Sequence, residues 1–334
     1  MSESRITVAV DAMGGDRAPA EIVAGALQAV AELPVDILLV GREEAVREVL
    51  PGGEPPEHVT LVAASEVIDM HDDPAASVRT RKDASMVRCA EAVRDGRAQA
   101  MVGAGNTGAT MASALLRMGR IKGVARPAIA VPVPVPGSHG QLLVDGGATV
   151  DCRPEWLVQF ARMGREYARV RLGVEEPTVG LLSVGEEPGK GDALRKEVHP
   201  MLAEVKGFVG NVEGREFMTG HPDVILSDGF TGNVALKTME GVAKAVSNLV
   251  FGVLVSTPEA KEAAKVLAPL LLEAAAPLDP DNTGGAVLLG IDGVCVISHG
   301  SSSARAIVNA CQVAADAVAA DVVTRLKEAI ADAG

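Results

Sequence analysis

Aromatic side chains are scarce in this chain of 334 residues, which has one Trp, one Tyr and five Phe. Proteins that bind single-stranded nucleic acid stack bases on exposed rings, and so few rings leave no such platform. The formal net charge is −13. Because no tail rich in Lys and Arg offsets this charge, we expect no nucleic-acid partner.

Cysteine is also rare, and the four Cys residues have neither CxxC spacing nor a neighbouring His. A zinc knuckle needs such spacing, so we predict no metal and, in the absence of other cofactor motifs, no cofactor. Three of the four stand in apolar surroundings typical of core thiols. A leader of charged and then apolar residues is also missing before the first predicted strand, and we expect a cytoplasmic protein.

Glycine, by contrast, is abundant, and six apolar runs each end in a Gly-containing polar loop. Parallel strands buried on both faces read as continuous apolar runs, and open α/β sheets bind ligands beyond the carboxyl ends of their strands. We therefore predict that the six loops share one rim of a sheet. They are residues 11–16 (DAMGGD), 103–108 (GAGNTG), 145–147 (DGG), 185–192 (GEEPGKGD), 227–233 (SDGFTGN) and 298–301 (SHGS).

Strand and helix patterns alternate through the first 200 residues or so, as expected of right-handed βαβ units. We predict a three-layer α/β/α fold with a mostly parallel sheet, forming one catalytic domain over residues 1–334. The strands predicted from apolar runs are residues 6–10, 36–40, 59–63, 100–103, 128–133, 142–145 and 179–184.

Residues 241–277 differ from the rest and predict a protruding helical hairpin. Two apolar clusters, 249–255 and 267–272, are separated by a polar break. Seven apolar residues cannot span a bilayer, which takes about 20. The hairpin either packs at a dimer interface or touches a membrane surface weakly, with Lys261 and Lys265 facing anionic headgroups.

Two glycine motifs resemble nucleotide-binding loops but depart from them. Residues 103–108 match GxGxxG, yet the following apolar run, 128–133, offers no carboxylate for a ribose hydroxyl. Residues 185–191 resemble a P-loop but have three residues between the glycines instead of four, and Gly191 where Ser or Thr holds magnesium. A rim rich in N–H donors suits anion binding and oxyanion stabilisation better.

Five motifs, taken in order, resemble those of the bacterial phosphate acyltransferases of the PlsX type. The resemblance covers nearly the whole chain, and five co-linear motifs make it specific. The motifs are residues 11–16 (DAMGGD), 77–86 (SVRTRKDASM), 103–109 (GAGNTGA), 228–237 (DGFTGNVALK) and 298–301 (SHGS).

The resemblance implies transfer of a fatty acyl group from acyl-acyl carrier protein to inorganic phosphate. The acyl phosphate product would feed phospholipid synthesis through a membrane-bound glycerol-phosphate acyltransferase. The fold implied is similar to that of isopropylmalate dehydrogenase and phosphate acetyltransferase, and the implied assembly is a homodimer. Two other interpretations stay open: an NAD(P)-dependent decarboxylating dehydrogenase on a similar fold, and a non-catalytic scaffold that binds carrier protein.

Three residues are the candidates for catalysis. Lys190 can hold phosphate or the developing oxyanion, Asn233 can donate an N–H beside a helix start, and His299 can protonate the departing thiolate. Each also has a structural interpretation: a solvated loop Lys, a helix cap, and a His that satisfies a backbone group. Since we see no Cys or Ser at nucleophile-and-base spacing from a His, we expect direct transfer without an acyl-enzyme.

A second set of residues is predicted to bind phosphate or the acyl-pantetheine. The three Asp residues of this set can instead hold loop backbones by turn hydrogen bonds. The set is Asp11, Gly14, Gly15, Gly105, Asn106, Thr107, Gly108, Asp145, Asp228, Thr231, Gly232 and Ser301.

Two groups of basic residues are candidates for docking an acidic carrier protein, since a cationic patch on an acidic enzyme favours such an encounter. The sequence does not rank them, and either can be a solvated surface. The first group is Arg117, Arg120, Lys122 and Arg126; the second includes Arg79, Arg81 and Lys82.

Overall fold

The computed structural model describes residues 5–331, which form eleven strands and twelve α-helices. All seven predicted strands are present, and the apolar runs before Ser227 and Ser298 are also strands. Two strands, β8 and β10, were not predicted. The strands are β1 (Ile6–Asp11), β2 (Val35–Gly41), β3 (Val59–Ala63), β4 (Ala100–Gly103), β5 (Ala128–Val133), β6 (Gln141–Val144), β7 (Val179–Leu182), β8 (Phe208–Val212), β9 (Val224–Leu226), β10 (Ala286–Leu289) and β11 (Val294–Ile297).

The helices fill the intervals between these strands, and most of them present one apolar face to the sheet. They are α1 (Ala20–Glu32), α2 (Glu43–Val49), α3 (Pro74–Thr80), α4 (Ser85–Arg94), α5 (Thr107–Arg117), α6 (Pro154–Arg171), α7 (Ala193–Leu202), α8 (Gly229–Leu254), α9 (Pro258–Ala275), α10 (Pro280–Thr283), α11 (Ala304–Ala319) and α12 (Val322–Ala331).

All eleven strands belong to one sheet, in the order β3-β2-β1-β4-β11-β10-β5-β6-β9-β7-β8. Each half of the sheet is parallel within itself, but β10 pairs antiparallel with both β11 and β5, and β5 pairs antiparallel with β6. Strands β6, β9, β7 and β8 therefore run opposite to β1, β2, β3, β4 and β11.

This reversal corrects the expectation that all six loops share one rim. The loops after β1, β4 and β11 leave one edge of the sheet, and we call them the first loop group. The loops after β6, β7 and β9 leave the opposite edge, and we call them the second loop group. The apolar pattern marks where a strand ends but not whether the strand runs parallel or antiparallel to its neighbours. The expectation of a single rim was therefore wrong about the topology of the sheet.

One face of the sheet is covered by a single continuous core. Helices α1, α6, α11 and α12 pack there with buried side chains from strands of both halves, such as Val10 in β1 and Val144 in β6. The one Tyr, Tyr167, is buried in this layer. This face joins the two halves into one packed unit, while the one-domain interpretation itself stays a prediction.

The other face is covered by two separate apolar clusters. Helices α4 and α5 cover the first half through residues such as Cys89 and Ala114, and α8 covers the second half through Leu236 and Met239. Val131 on β5 packs against both clusters and is itself only half buried. The two clusters therefore adjoin at Val131, over the antiparallel middle of the sheet, and we call the place above this half-buried residue the central gap.

Helices α8 and α9 form the predicted hairpin, although α8 already begins at Gly229. The only buried residues of α8 are Gly229 and Gly232, and no residue of α9 is buried. Large apolar side chains are left uncovered, including Leu249, which is 69% exposed, and Val253, which is 60% exposed. Within residues 5–331, no single helix is long and apolar enough to span a bilayer; the bent pair α11 and α12 reaches that length and composition together.

The contact between α1 and α11 offers a test of the packing. A Cβ placed on Gly25 would lie 2.6 Å from the carbonyl oxygen of Ala304 and 2.6 Å from Cβ of Ile307. We expect Gly25→Ala to lower the free energy of unfolding by about 1–3 kcal/mol, because backbone atoms must shift to admit the methyl group. Urea unfolding measures this. The exposed neighbour Ala24 serves as control: Ala24→Ser should change stability by less than about 0.5 kcal/mol, and equal effects would contradict the close packing.

Candidate active site

The first loop group is held together by close backbone contacts. The N–H of Asp16 donates to the carbonyl of Gly300 at 2.7 Å, which joins the loops after β1 and β11. The loop after β4 approaches the loop after β1 just as closely. A Cβ on Gly14 would lie 2.6 Å from the carbonyl oxygen of Gly105, so a residue larger than glycine at position 14 would force the backbone to shift. The structure thus brings Gly14, Gly15 and Gly105 together, as the sequence predicted.

Asn106 is the N-cap of α5, and its side chain is already engaged in hydrogen bonds within the chain. Its side-chain oxygen accepts the Ala109 N–H at 3.3 Å as a helix cap, and its amide nitrogen donates to the Met70 carbonyl at 3.1 Å. Thr107 beside it is exposed, and Gly108 lies against Pro74. The structure therefore favours a structural role for Asn106 and leaves Thr107 and the exposed start of α5 facing solvent.

Asp11 lies beneath the first loop group and is 1% exposed. One carboxylate oxygen accepts the Met13 N–H at 3.1 Å, a local turn bond. Burial raises the pKa of Asp11 to about 6, and the hydrogen bond from the Met13 N–H opposes this only in part. This geometry favours the interpretation in which Asp11 holds its own loop.

His299 and Ser301 lie at the end of β11 and contact each other. The Nδ1 atom of His299 is 2.8 Å from the Ser301 hydroxyl and accepts the Ser301 N–H at 3.3 Å. Because Nδ1 accepts, the neutral ring carries its proton on Nε2, and His299 is exposed. We expected no Cys or Ser at nucleophile-and-base spacing from a His; the structure does place the Ser301 hydroxyl at hydrogen-bond distance from His299, because the loop folds back on itself.

The second loop group is organised by Asp145, which is fully buried. Its carboxylate accepts four backbone N–H groups at 2.7–3.0 Å, from Ile129, Gly147, Ala148 and Thr149. Burial raises its pKa, although the four amides oppose this effect. Asp145 thus holds the loop in shape. This favours the structural interpretation of Asp145 over direct contact with a ligand.

Asp228 begins α8, and its partner is a residue that the sequence analysis missed. Asp228 caps the helix by accepting the Thr231 N–H at 2.9 Å, and its other oxygen forms a short ion pair with Arg195. Burial opposes the charge on Asp228, but the Thr231 amide and the Arg195 guanidinium outweigh it and hold its pKa below the usual value. A side chain on Gly232 would collide with the Asp145 carbonyl.

Arg195 is buried and joins the loops after β7 and β9. Besides Asp228 it contacts the Ser227 hydroxyl at 3.3 Å, the Leu182 carbonyl at 3.2 Å and Asp192 at 3.1 Å. Asp192 in turn caps α7. The signal in the sequence was an Arg three residues after a capping Asp, which is too common a pattern to indicate a buried centre by itself.

Asn233 and Lys190 are both exposed. Because Asp228 caps α8, Asn233 is not the cap, and its side chain lies against Gly147, where an added Cβ would be 3.4 Å from that of Asn233. The Lys190 N–H donates to the Glu187 carbonyl at 2.9 Å, and its ammonium has no ion pair within residues 5–331. Both side chains are thus available to a ligand, and the cap interpretation of Asn233 is wrong.

The basic residues divide into occupied and available ones. Arg117 is paired with Glu91 at 3.4 Å and Arg120 donates to the Ala125 carbonyl, whereas Lys122 is exposed and unpaired within the described chain. In the second group, Arg81 is held by Asp72 at 3.1 Å and by the Val67 carbonyl at 2.6 Å. Arg79 and Lys82 are exposed and, over residues 5–331, unpaired. Arg126 stacks on Trp156.

This α/β fold, with one large sheet between layers of helices, is shared with solved phosphotransacylases. The structure is similar to a phosphotransacetylase from Streptococcus pyogenes, with a TM-score of 0.63 and 15% identity, over 95% of this chain and 94% of the other. It is also similar to a branched-chain phosphotransacylase from Enterococcus faecalis, with a TM-score of 0.56 and 16% identity, over 94% and 99% of the two chains. A 4-hydroxythreonine-4-phosphate dehydrogenase from Klebsiella pneumoniae has a TM-score of 0.52 at 12% identity, over 92% and 98%. At such identities these likenesses concern the fold alone.

Sequence similarity is more specific. Residues 6–325 match the model of a family described as fatty acid synthesis protein. The phosphate acyltransferase of Desulfitobacterium hafniense is 46% identical over 323 residues, which cover 96% of each chain. That of Elusimicrobium minutum is 46% identical over 328 residues, covering 97% of this chain and 96% of the other. The chain belongs to this family, the phosphate acyltransferases of the PlsX type, and it is an acyltransferase rather than a dehydrogenase.

The buried carboxyl of Asp11 predicts a pH dependence of stability. Its pKa is raised from 3.8 to about 6, so the folded state binds more protons than the unfolded state in that interval. Asp11 therefore reduces stability as pH rises through this window, and Asp11→Asn removes the loss while keeping an oxygen for the Met13 N–H. We expect the stability difference, variant minus wild type, to increase by about 2–3 kcal/mol between pH 4 and pH 7 in urea unfolding.

The matched control is Asp95, whose pKa is lowered by a hydrogen bond from Arg94 at the surface. This carboxylate contributes stability above its unfolded pKa and loses it as pH falls, so Asp95→Asn should show a smaller effect of opposite sign. A difference for Asp11→Asn that does not vary with pH would show that folding does not raise the pKa of Asp11.

Proposed function

We propose that the chain transfers a fatty acyl group from the thioester of acyl carrier protein to inorganic phosphate. A phosphate oxygen attacks the thioester carbonyl, the C–O bond forms as the C–S bond breaks, and the thiolate takes up a proton. The products are an acyl phosphate and the free thiol of the carrier protein. Family membership over nearly the whole length is the observation that carries the proposal.

The central gap is the proposed place of reaction. The first loop group contributes the start of α5 and the loop of His299, while the second contributes α8 with Asn233. The two halves that carry these groups meet there, at Val131. A half-buried apolar floor between polar loops suits a substrate with an acyl chain and a phosphate.

Charge stabilisation is assigned to Lys190 and Asn233. Phosphate is already nucleophilic near neutral pH, so the enzyme must chiefly position it and stabilise the developing oxyanion. The ammonium of Lys190 and the amide of Asn233 are both exposed and can supply donors. Asp228 and Arg195 fix the start of α8, on which Asn233 stands, and so act as positioning residues.

His299 is assigned the protonation of the departing thiolate. The donor in this step is the imidazolium, which releases its Nε2 proton to the sulfur and becomes the neutral ring, whose Nδ1 lies 2.8 Å from the Ser301 hydroxyl. Binding roles for the remaining glycines, Thr107 and Thr231 stay predictions of the same proposal.

Direct transfer is favoured over an acyl-enzyme. Burial raises the pKa of Cys152 to about 12 and that of Cys295 to about 12, so neither thiol is ready to ionise. Ser301 touches His299, but within residues 5–331 no third group orients the free Nε2 of that ring, as a Ser–His nucleophile ordinarily requires.

The reaction is tested by incubating the protein with palmitoyl-carrier protein and phosphate and measuring acyl phosphate. We expect Lys190→Ala and Asn233→Ala each to lower kcat by about 10²-fold or more, because a transition-state donor is lost. Lys196→Ala, another exposed lysine close in sequence, should leave kcat unchanged.

Three results would contradict this scheme. No acyl phosphate from wild type would leave the non-catalytic scaffold as the better interpretation. Wild-type rates in a variant would return that residue to a structural role. An acyl adduct on the chain, detected by intact mass during turnover and absent in Ser301→Ala, would replace direct transfer with an acyl-enzyme.

Carrier-protein docking is proposed for the available cations and not for the occupied ones. Lys122 and Arg126 remain from the first group, and Arg79 and Lys82 from the second. Arg117, Arg120 and Arg81 are held by internal partners and contribute less to docking.

The hairpin of α8 and α9 is proposed to serve a homodimer, a membrane surface, or both. Its apolar side chains are uncovered by the rest of the chain, including Val253 and Leu270, each 60% exposed. Lys265 is paired with Glu262 at 2.8 Å, so Lys261 is the freer cation for anionic headgroups. A cytoplasmic enzyme with such reversible contact could pass its amphipathic product to a membrane-bound glycerol-phosphate acyltransferase.

Vesicle co-sedimentation tests the membrane role. Wild type should bind anionic vesicles weakly, because few side chains insert and a net charge of −13 is repelled by the lipid. We expect Val253→Glu with Leu254→Glu to abolish binding, while the double variant Ala24→Glu with Val209→Glu, which adds the same charge at exposed sites elsewhere, retains it.

Size exclusion must accompany this measurement. If wild type stays in the supernatant, or if all three proteins bind equally, the membrane role is wrong. Loss of the dimer in the hairpin variant alone would identify these residues as interface packing.

A further inference from the structure

Trp156, the only tryptophan of the chain, carries two arginines. The guanidinium carbon of Arg126 lies 5.0 Å from the centre of its ring, and that of Arg153 lies 5.2 Å from it. Neither guanidinium has a hydrogen bond or an ion pair over residues 5–331. Both therefore keep all their N–H donors free, and their charges are held near each other by one ring. We call these three residues the Arg–Trp–Arg stack.

The stack is fixed in place by Gln159, one turn further along α6. Its side-chain oxygen accepts the N–H of Ala125 at 2.9 Å, and its nitrogen donates to the carbonyl of Gly123 at 2.9 Å. These two bonds hold the segment before Arg126 against the helix that carries Trp156. Arg153 immediately precedes the same helix. Preorganised side chains lose less entropy when they bind a ligand.

The stack adjoins the second loop group. Pro127, next to Arg126, accepts the buried hydroxyl of Thr149 at 3.1 Å. Thr149 ends the loop that Asp145 organises, and Gly147 of that loop lies against Asn233. The stack and Asn233 therefore both adjoin the loop that Asp145 organises.

A guanidinium presents a planar fork of donors that matches phosphate geometry, and two such forks around a ring form a compact anion site. The nearby acids Asp151 and Glu155 are exposed and form no ion pair with either arginine. The carboxylates on the surface of an acidic partner protein are spread apart, so binding them does not require two cations gathered on one ring.

We infer that the Arg–Trp–Arg stack binds the phosphodiester through which the pantetheine arm is joined to the carrier protein. This inference rests on the proposed function, since it assumes a carrier-bound acyl donor. Holding the arm by its phosphate would place the thioester end toward Asn233. Arg153 and Trp156 thereby join Arg126 as recognition residues.

The single tryptophan gives a direct readout. Titration with 4′-phosphopantetheine should change Trp156 fluorescence saturably, whereas pantetheine, which lacks the phosphate, should not at matched ionic strength. We expect Arg126→Gln with Arg153→Gln to weaken binding of phosphopantetheine roughly tenfold or more, measured by calorimetry because the substitutions alter the fluorescence itself. Arg97→Gln removes an exposed charge elsewhere and should bind like wild type.

Carrier protein with and without its arm separates arm recognition from surface docking. The double variant should weaken binding of the arm-bearing form much more than that of the apo form. Equal weakening of both forms, equal binding of pantetheine and phosphopantetheine, or wild-type affinity in the double variant would each overturn the inference.

Failure of the proposed reaction is distinguished from failure of this inference because binding needs no turnover. Phosphopantetheine binding at the stack without acyl phosphate formation would leave a carrier-binding protein. Acyl phosphate formation with an unchanged KM for acyl-carrier protein in the double variant would keep the reaction and place the arm elsewhere.

Discussion

A run of three antiparallel pairings, β11 with β10, β10 with β5 and β5 with β6, is the constraint on which the layout of this enzyme depends. It reverses the sheet in its middle and sends the two loop groups to opposite edges. One face remains a continuous core, which keeps the halves together, while the other face divides between α5 and α8. The central gap follows from that division, because the helices that cover each half belong to differently directed strands. A site for two unlike substrates can then draw donors from both halves.

Buried carboxylates fix the loops around this gap. Asp145 holds its loop by four amides, and Asp228 holds the start of α8 with help from Arg195. Taking a carboxylate out of water is costly unless its oxygens are satisfied, and removing one member of a buried pair typically costs about 3–5 kcal/mol. These acids therefore act through the backbone, and the exposed side chains of Asn233 and Lys190 are the ones proposed to contact substrate.

A surface cation of this acidic protein can attract an anionic partner only where no carboxylate already neutralises it. Arg117, Arg81 and Arg126 look alike in sequence, yet the first two each have a carboxylate partner, whereas Arg126 has none in the part of the chain that the structure describes. An aromatic face can hold a guanidinium without neutralising it, so Trp156 orders two cations that remain able to attract an anion. The apolar surface of the chain is concentrated elsewhere, on the exposed hairpin of α8 and α9.

The sequence by itself determined the family, the seven strands of the first part of the chain and the positions of the glycine loops, because apolar runs, turn residues and motif order are local properties of the chain. It did not determine strand direction, since the pairing of β5 with β10 joins segments far apart in the chain. Nor did it reveal that Arg195 is the partner of Asp228, that Asp228 rather than Asn233 caps α8, or that Ser301 folds back onto His299. Those features depend on which side chains tertiary packing brings within hydrogen-bond distance and removes from water, and only the folded structure decides that.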